Sequence, residues 1–306
     1  MRETDAMSHR PTAQDWLLLS GLVIIWGSSF AMSKLAVQSL DPAWIAALRL
    51  AVGAALLLVA AAAARQLPDG NPRTWAKYMW LGVVGNSFPF FAITWALQYV
   101  SSGVSGLLMG TIPILILGLA HFFLPGERLN RYKIAGVILG FTGLAVLLDP
   151  RRFGEFSFSG GALLGQVVVM IGCLSYAVHS ITAKRLGFGK PLAQSFGVLF
   201  CGAITSILFA LVKAPDGLSG VTAPALWASV GLGLFPTGIA TIMMYRLMDR
   251  TSPTMVAQSN YLVPVYAVVF GALTLGESLN WNIALALALI LAGIFVSRLS
   301  VGVRPA

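Results

Sequence analysis

The chain reads as ten long apolar runs separated by short polar stretches, at roughly 16–36, 43–64, 75–98, 101–124, 132–148, 160–184, 191–212, 225–246, 251–275 and 281–300. Each is close to the about 20 residues that carry a helix across a bilayer. None alternates with the period of two that a membrane barrel strand requires. The pattern predicts an all-α polytopic membrane protein with ten transmembrane helices. Composition points the same way, because 57% of the residues are hydrophobic and only 10% are charged, too few charges to solvate a soluble domain.

The runs repeat in order. Gly126-Glu127-Arg128-Leu129-Asn130 returns as Gly276-Glu277-Ser278-Leu279-Asn280, 150 residues later. Pro113 is answered by Pro264, Phe88-Pro89 by Phe235-Pro236, and Ser29-Phe30-Ala31 by Ser175-Tyr176-Ala177. This is the mark of a duplication, and it divides the chain into a tail (1–15), a first five-helix repeat (16–150), a second (151–300) and a short tail (301–306). Five is odd, so the halves are expected to cross the membrane in opposite directions. Counted by loop, fifteen Lys and Arg residues fall on the side of the N-terminus and four (Lys34, Arg151, Arg152, Lys213) on the other. The positive-inside rule then predicts cytoplasmic N- and C-termini. The net charge of +9 is thereby read as a topology signal, with lipid as the partner and no nucleic acid. Inverted repeats give a physical route to alternating access around a midplane site, so the expected function is transport.

Several chemistries drop out. Cys173 and Cys201 fall inside predicted helices, with neither a disulfide framework nor metal-ligand spacing. The longest loops leave no room for a soluble catalytic domain, and no Gly-rich phosphate loop ending in Lys-Ser/Thr occurs, which argues against ATP. No cofactor or metal is expected. Helix one is too long for a signal-peptide core and is answered by helix six, so it is expected to be retained.

Within the runs, none of the eleven acidic residues lies near a helix centre. A buried carboxylate for ion coupling or for pairing a cationic substrate is therefore not expected. The ionisable groups that do enter are basic. Lys34 either snorkels to headgroups or attracts a substrate carboxylate, and Arg49 either satisfies helix-end carbonyls and Asp41 or does the same. His179 is either a hydrogen-bonded core histidine or a proton relay. Trp26, Phe90, Trp95, Tyr176 and Tyr261 lie mid-helix, where they pack or line a cavity. Asn86, Gln258 and Asn260 need partners in hydrocarbon and serve as helix glue or substrate contacts. Breakers recur in matching helices: Gly85 and Pro89, Gly110 and Pro113, then Pro236 and Gly238, and Pro264. Interrupted helices in corresponding positions point to a binding site and hinges. Small-residue stripes in helices five (Gly136, Gly140, Gly143) and ten (Ala284, Ala288, Ala292) suit close packing within a monomer or between two protomers.

These residues carry a family resemblance. Trp26-Gly27-Ser28-Ser29-Phe30 with Lys34, Pro42 followed by Arg49, and the Pro113/Glu127 and Pro264/Glu277 repeats resemble the drug/metabolite transporter superfamily, and within it the EamA-type ten-helix exporters. The likeness is strongest to exporters of aromatic and other neutral amino acids. It implies an inner-membrane carrier of small molecules, with a central cavity lined by helices one to four and six to nine and with five and ten outside it. The four-helix multidrug relatives carry a Glu in the first helix; its absence here disfavours cationic drugs and favours zwitterionic or neutral substrates. Two other classes were weighed. Gly103-Val104-Ser105-Gly106 matches a rhomboid-protease pattern, with His179 as base, but the pattern recurs at Gly217-Leu218-Ser219-Gly220 in a loop. A passive channel fits an inverted repeat too, and differs from a carrier in its kinetics.

Overall fold

The computed structural model describes residues 11–96, 99–100, 102–125, 127, 129–147, 159–187, 190–263, 265–266 and 281–299. Every regular element among them is helical: α1 (Ala13–Ala36), α2 (Pro42–Ala63), α3 (Pro72–Gly82), α4 (Phe88–Ala96), α5 (Ser102–Met109), α6 (Ile112–Phe123), α7 (Arg131–Leu147), α8 (Gly160–Leu186), α9 (Pro191–Lys213), α10 (Ala223–Leu232), α11 (Ala240–Arg250), α12 (Pro253–Ala257) and α13 (Trp281–Arg298). A π turn, Val83–Ser87, joins α3 to α4, and a second, Gly233–Ile239, joins α10 to α11.

Local chemistry sets where the helices start. Thr12 and Asp15 form a capping box on α1, satisfying orphan backbone donors reciprocally. Asp41, Asn71 and Ser252 each accept a backbone hydrogen bond at the start of α2, α3 and α12, and in each case a proline follows. A polar cap followed by proline is the preferred entry to a helix, because the proline lacks a donor that would be orphaned there anyway. Glu277 and Pro264, half of the repeat motif, lie outside the described residues.

Four described segments, Pro42–Ala63, Gly160–Leu186, Pro191–Lys213 and Ala223–Arg250, are long and apolar enough to cross a membrane. Large apolar side chains also face outward: Val212 is 84% exposed, Phe122 78% and Leu17 74%. A water-facing surface rarely carries so much; a lipid-facing one does.

Two sets of equivalent helices, α2 with α9 and α7 with α13, pair antiparallel, the arrangement an inverted duplication produces. In α2 and α9, Leu57 and Ala61 meet Phe196 and Leu199 at one end, while Ala43 and Ala47 meet Ala210 at the other. α7 and α13 pair in the same way, Gly136 lying against Gly293 and Ser297, and Gly143 against Ala286 and Ile290. Contacts between non-equivalent helices come in exchanged sets: α1 packs on α10 and α11 as α8 packs on α4, and α2 packs on the second π turn as α9 packs on α3 and the first.

The two faces differ. On the face carrying Thr12, one buried cluster joins Leu19, Leu22, Tyr78, Leu81, Val198, Tyr245 and Met255 across both halves. Arg250 Nε donates to Asp15 Oδ1 at 2.5 Å, and Lys184 Nζ donates to the Met248 carbonyl at 2.6 Å. On the face carrying Ser39 the packing is divided. Ala36, Leu40, Ile45 and Leu232 form one cluster, and Ala96, Val100, Val104 and Val169 belong to another.

Two predictions follow from this packing. A Cβ on Gly136 would sit 2.5 Å from the Gly293 carbonyl oxygen, whereas one on Gly118 meets nothing within 4 Å. Gly136→Val should therefore lower the melting temperature in detergent by the equivalent of about 1–3 kcal/mol, and Gly118→Ala should leave it unchanged; equal effects would refute the close crossing of α7 and α13. The second concerns Asp15, which is fully buried in the first turn of α1. Burial works against its charge, but hydrogen bonds from Arg250 and Thr12 outweigh burial and hold its carboxyl below the ordinary carboxylate value. Its contribution is thus present above the unfolded value of about 3.9 and is lost as pH falls through the lowered folded value. Melting measured against pH should show Asp15→Asn destabilised at neutral pH, with its deficit shrinking below about pH 4.

Candidate functional site

The mid-span residues are organised by the two π turns. A π turn shifts the backbone hydrogen-bond register and leaves carbonyls poorly served, and such turns concentrate at functional sites. Each turn is served from the opposite half. The Trp26 indole on α1 donates to the Pro236 carbonyl at 3.1 Å, and the Ser175 hydroxyl on α8 donates to the Val84 carbonyl at 2.6 Å. Each turn is also tied to the second long helix of the other half: Ser87 Oγ donates to the Gly202 carbonyl on α9 at 2.7 Å, and Thr237 Oγ1 accepts from Arg49 Nε on α2 at 3.1 Å.

The register of the two halves follows from these contacts. Gly53 lies 3.2 Å from the Gly233 carbonyl oxygen, and Gly202 lies 3.2 Å from the Gly82 carbonyl oxygen (both measured from the added Cβ). A Cβ on Gly233 would meet the Arg49 carbonyl, and one on Gly82 the Val198 carbonyl. Gly82 thus corresponds to Gly233, and Arg49 to Val198. This sets Pro236 opposite Gly85, one helical turn from the match with Pro89 that the repeated Phe-Pro pair suggests.

Arg49, Phe90, Tyr176 and Thr237 form a contiguous group. The Arg49 guanidinium lies 3.9 Å from the centroid of the Phe90 ring, a cation–π contact worth about 0.5–2 kcal/mol. Tyr176 meets Phe90 edge-on, with centroids 6.3 Å apart. Asn86 sits in the first π turn, one turn before Phe90, and has no hydrogen-bond partner among the described residues. Trp26, Arg49, Asn86, Phe90 and Tyr176 are all half-buried, as groups lining a crevice are. Trp95 is half-buried too and stacks against Tyr99 toward the Ser39 face, with ring centroids 4.7 Å apart.

Other expected site residues sit elsewhere. His179 is a buried core histidine: Nδ1 lies 3.2 Å from the Leu81 carbonyl and Nε2 lies 3.4 Å from the Tyr245 hydroxyl. Its ring lies against Gly85, where any Cβ would collide with it. Both ring nitrogens are engaged, which leaves none to serve Ser105 as a base. Tyr261 and Gln258 turn toward the α7–α13 pair. The Tyr261 ring covers Gly140 and its hydroxyl donates to the Val137 carbonyl at 3.4 Å. Gln258 Nε2 donates to Ser297 Oγ at 3.2 Å, beside a cavity of about 20 Å³ that Lys133 and Pro113 also line. Room left by the glycine stripe draws these two side chains outward, away from the Arg49 group. Asn260 Nδ2 donates to the Ala257 carbonyl at 3.1 Å, three residues back along the chain.

The breakers act as breaks. Gly85 lies inside the first π turn and Pro89 just beyond it; Pro236 and Gly238 lie inside the second. Gly110 falls at the interruption between α5 and α6, and Pro113 in the first turn of α6. Pro264 and the side chain of Lys34 lie outside the described residues. Thr237 and Ser175 were not singled out from sequence as site residues; the available signal was a hydroxyl within one or two residues of a matched proline or repeat motif. A larger cavity, about 330 Å³, opens on the Thr12 face between Gln14, Leu18, Pro191, Arg246, Asp249 and Arg250. It shares no lining residue with the Arg49 group.

Comparison with known proteins agrees with this architecture. The chain is 28% identical over 293 residues to an uncharacterized inner membrane transporter, YedA, of Escherichia coli, covering 94% of this chain and 92% of that one. It is 25% identical over 277 residues to an uncharacterized transporter, YoaV, of Bacillus subtilis, covering 90% and 94%. A solved structure, described only as the crystal structure of a protein, superposes with a TM-score of 0.78 at 23% identity over 95% of this chain and 98% of that one, which speaks to the fold. The profile of the EamA-like transporter family matches twice, at residues 16–149 and 163–299. The chain is a membrane transporter belonging to the EamA-like family.

Proposed function

We propose that this transporter is a secondary-active or facilitative exporter of amino acids, aromatic and other neutral ones, and of related small metabolites, acting in the inner membrane by alternating access. The observation that carries the reading is the half-buried group of Arg49, Phe90 and Tyr176, joined to the second π turn through Thr237, with Trp26 bonded to that turn and Asn86 within the first. It offers flat apolar walls for a side chain, an amide with no partner among the described residues, and a cation for a carboxylate. One buried cluster joins the halves near Thr12 while two separate clusters lie near Ser39, and this difference supports a conformation open toward Ser39. By the loop charges, that is the outer side. Arg49, which has no acidic partner among the described residues, argues against cationic drugs as substrates.

Counterflow in proteoliposomes tests the reading. Vesicles preloaded with unlabelled amino acids should transiently accumulate trace labelled phenylalanine, and equilibration without overshoot would mean a pore. Phe90→Ala and Tyr176→Ala should raise the half-saturating concentration several-fold, since each removes aromatic contact worth about 0.5–1.5 kcal/mol. Tyr261→Ala should instead lower thermal stability while leaving the half-saturating concentration in place. If the first two variants transport like the unaltered protein, the site is elsewhere.

A further inference from the structure

The unmatched charge of Arg49 bears on what the site accepts. Its Nε is held by Thr237 and one face of its guanidinium by Phe90. The other nitrogens have no hydrogen-bond or ion-pair partner among the described residues. Both described salt bridges, Lys133–Glu127 and Arg250–Asp15, lie at helix ends, away from Arg49. Asp41, the acid nearest along α2, caps the helix by accepting from the Ala43 amide at 2.7 Å. Two turns of helix separate it from Arg49.

Arg49 ties α2 to the second π turn, but the tie uses only its Nε, and the other half makes its own tie, Ser87 to Gly202, without a cation. The position that corresponds to Arg49 in the other half is Val198, which is completely buried and makes the equivalent backbone approach to Gly82 with an apolar side chain. A guanidinium presents a rigid planar fork suited to a carboxylate, and here its free edge is directed by two anchors. An uncompensated charge at this depth is costly.

We propose that Arg49 is the seat of a substrate carboxylate, anchored by Thr237 and Phe90, and that the site prefers net-anionic organic acids with an apolar body over zwitterions and cations of the same skeleton. Net charge sets the preference. A monoanion makes the occupied site neutral, a zwitterion leaves it with one positive charge, and an amine leaves two. Only the first removes the cost of enclosing the complex in a low-dielectric surround. The inference rests on the reading that substrate sits at the Arg49 group beside the π turns; within that reading it ranks carboxylates lacking an ammonium, among the related small metabolites, ahead of the neutral amino acids.

The test uses three compounds with one skeleton: phenylalanine, hydrocinnamate (which lacks the ammonium) and phenethylamine (which lacks the carboxylate). Affinity is read from ligand-induced thermal shift and calorimetry on the purified protein. Hydrocinnamate should bind at least as tightly as phenylalanine, and phenethylamine at least about tenfold more weakly, as expected for losing a charged hydrogen-bonded group. Arg49→Gln should weaken hydrocinnamate by about tenfold or more without weakening phenethylamine, and Arg49→Lys should restore part of the loss. If Arg49→Gln does not fold, Thr237→Val, which removes only the anchor, should still weaken hydrocinnamate several-fold. The proposal fails if phenethylamine binds as well as hydrocinnamate, if the folded Arg49→Gln protein binds all three as before, or if none of the three binds. Phenylalanine counterflow that is indifferent to these substitutions would sink the seat and keep the transport reading. Arg49-dependent binding of hydrocinnamate without amino-acid exchange would do the reverse.

Discussion

Two backbone carbonyls, those of Pro236 and Val84, receive their hydrogen bonds from side chains of the opposite half, Trp26 and Ser175. In hydrocarbon no water stands ready to satisfy a carbonyl displaced from a helical ladder, so a break in a span persists only where protein supplies the donor. Each half therefore holds the other's bend in place. Moving one half relative to the other changes which donors reach the π turns, and this ties bending in one repeat to the position of its mate. The proposed exchange between conformations draws its coupling from that reciprocity.

Symmetry makes the departures from it informative. The halves match in helix pairing, in glycine placement and in the tethering of each π turn to α2 or α9. They differ where Arg49 stands against Val198. A duplicated scaffold supplies the packing twice, so a group present in one copy alone is where the proposed ligand role is sought. The outer pair, α7 and α13, shows the contrary case: Gly136, Gly143 and Gly293 serve backbone approach, and the polar residues that face them, Gln258 and Tyr261, are absorbed into that packing.

The spans and their repetition were legible because about 20 apolar residues in a row leave little ambiguity, and because Pro, Gly and the Gly-Glu-x-Leu-Asn motif recur at nearly constant spacing. Arg49 was legible as an unusual residue for its depth, and Phe90 and Tyr176 as mid-helix aromatics. Which way each side chain points was not. A soluble helix declares its buried face by alternating with a polar one, but here lipid and core are both apolar, so Tyr261 facing the outer pair and Tyr176 facing the centre look alike in sequence. The π turns were also hidden. Proline and glycine announced an interruption without fixing its register, which is why Pro236 corresponds to Gly85 and not to Pro89.

The most direct test of this account is thiol accessibility at the centre. Asn86→Cys in a background of Cys173→Ala and Cys201→Ala would be exposed, in oriented vesicles, to a membrane-impermeant thiol reagent applied from one side at a time. The account predicts modification from the Ser39 side, slowed by bound substrate, with little from the Thr12 side. Modification chiefly from the Thr12 side, or none from either, would contradict a substrate site beside the π turns that opens toward Ser39.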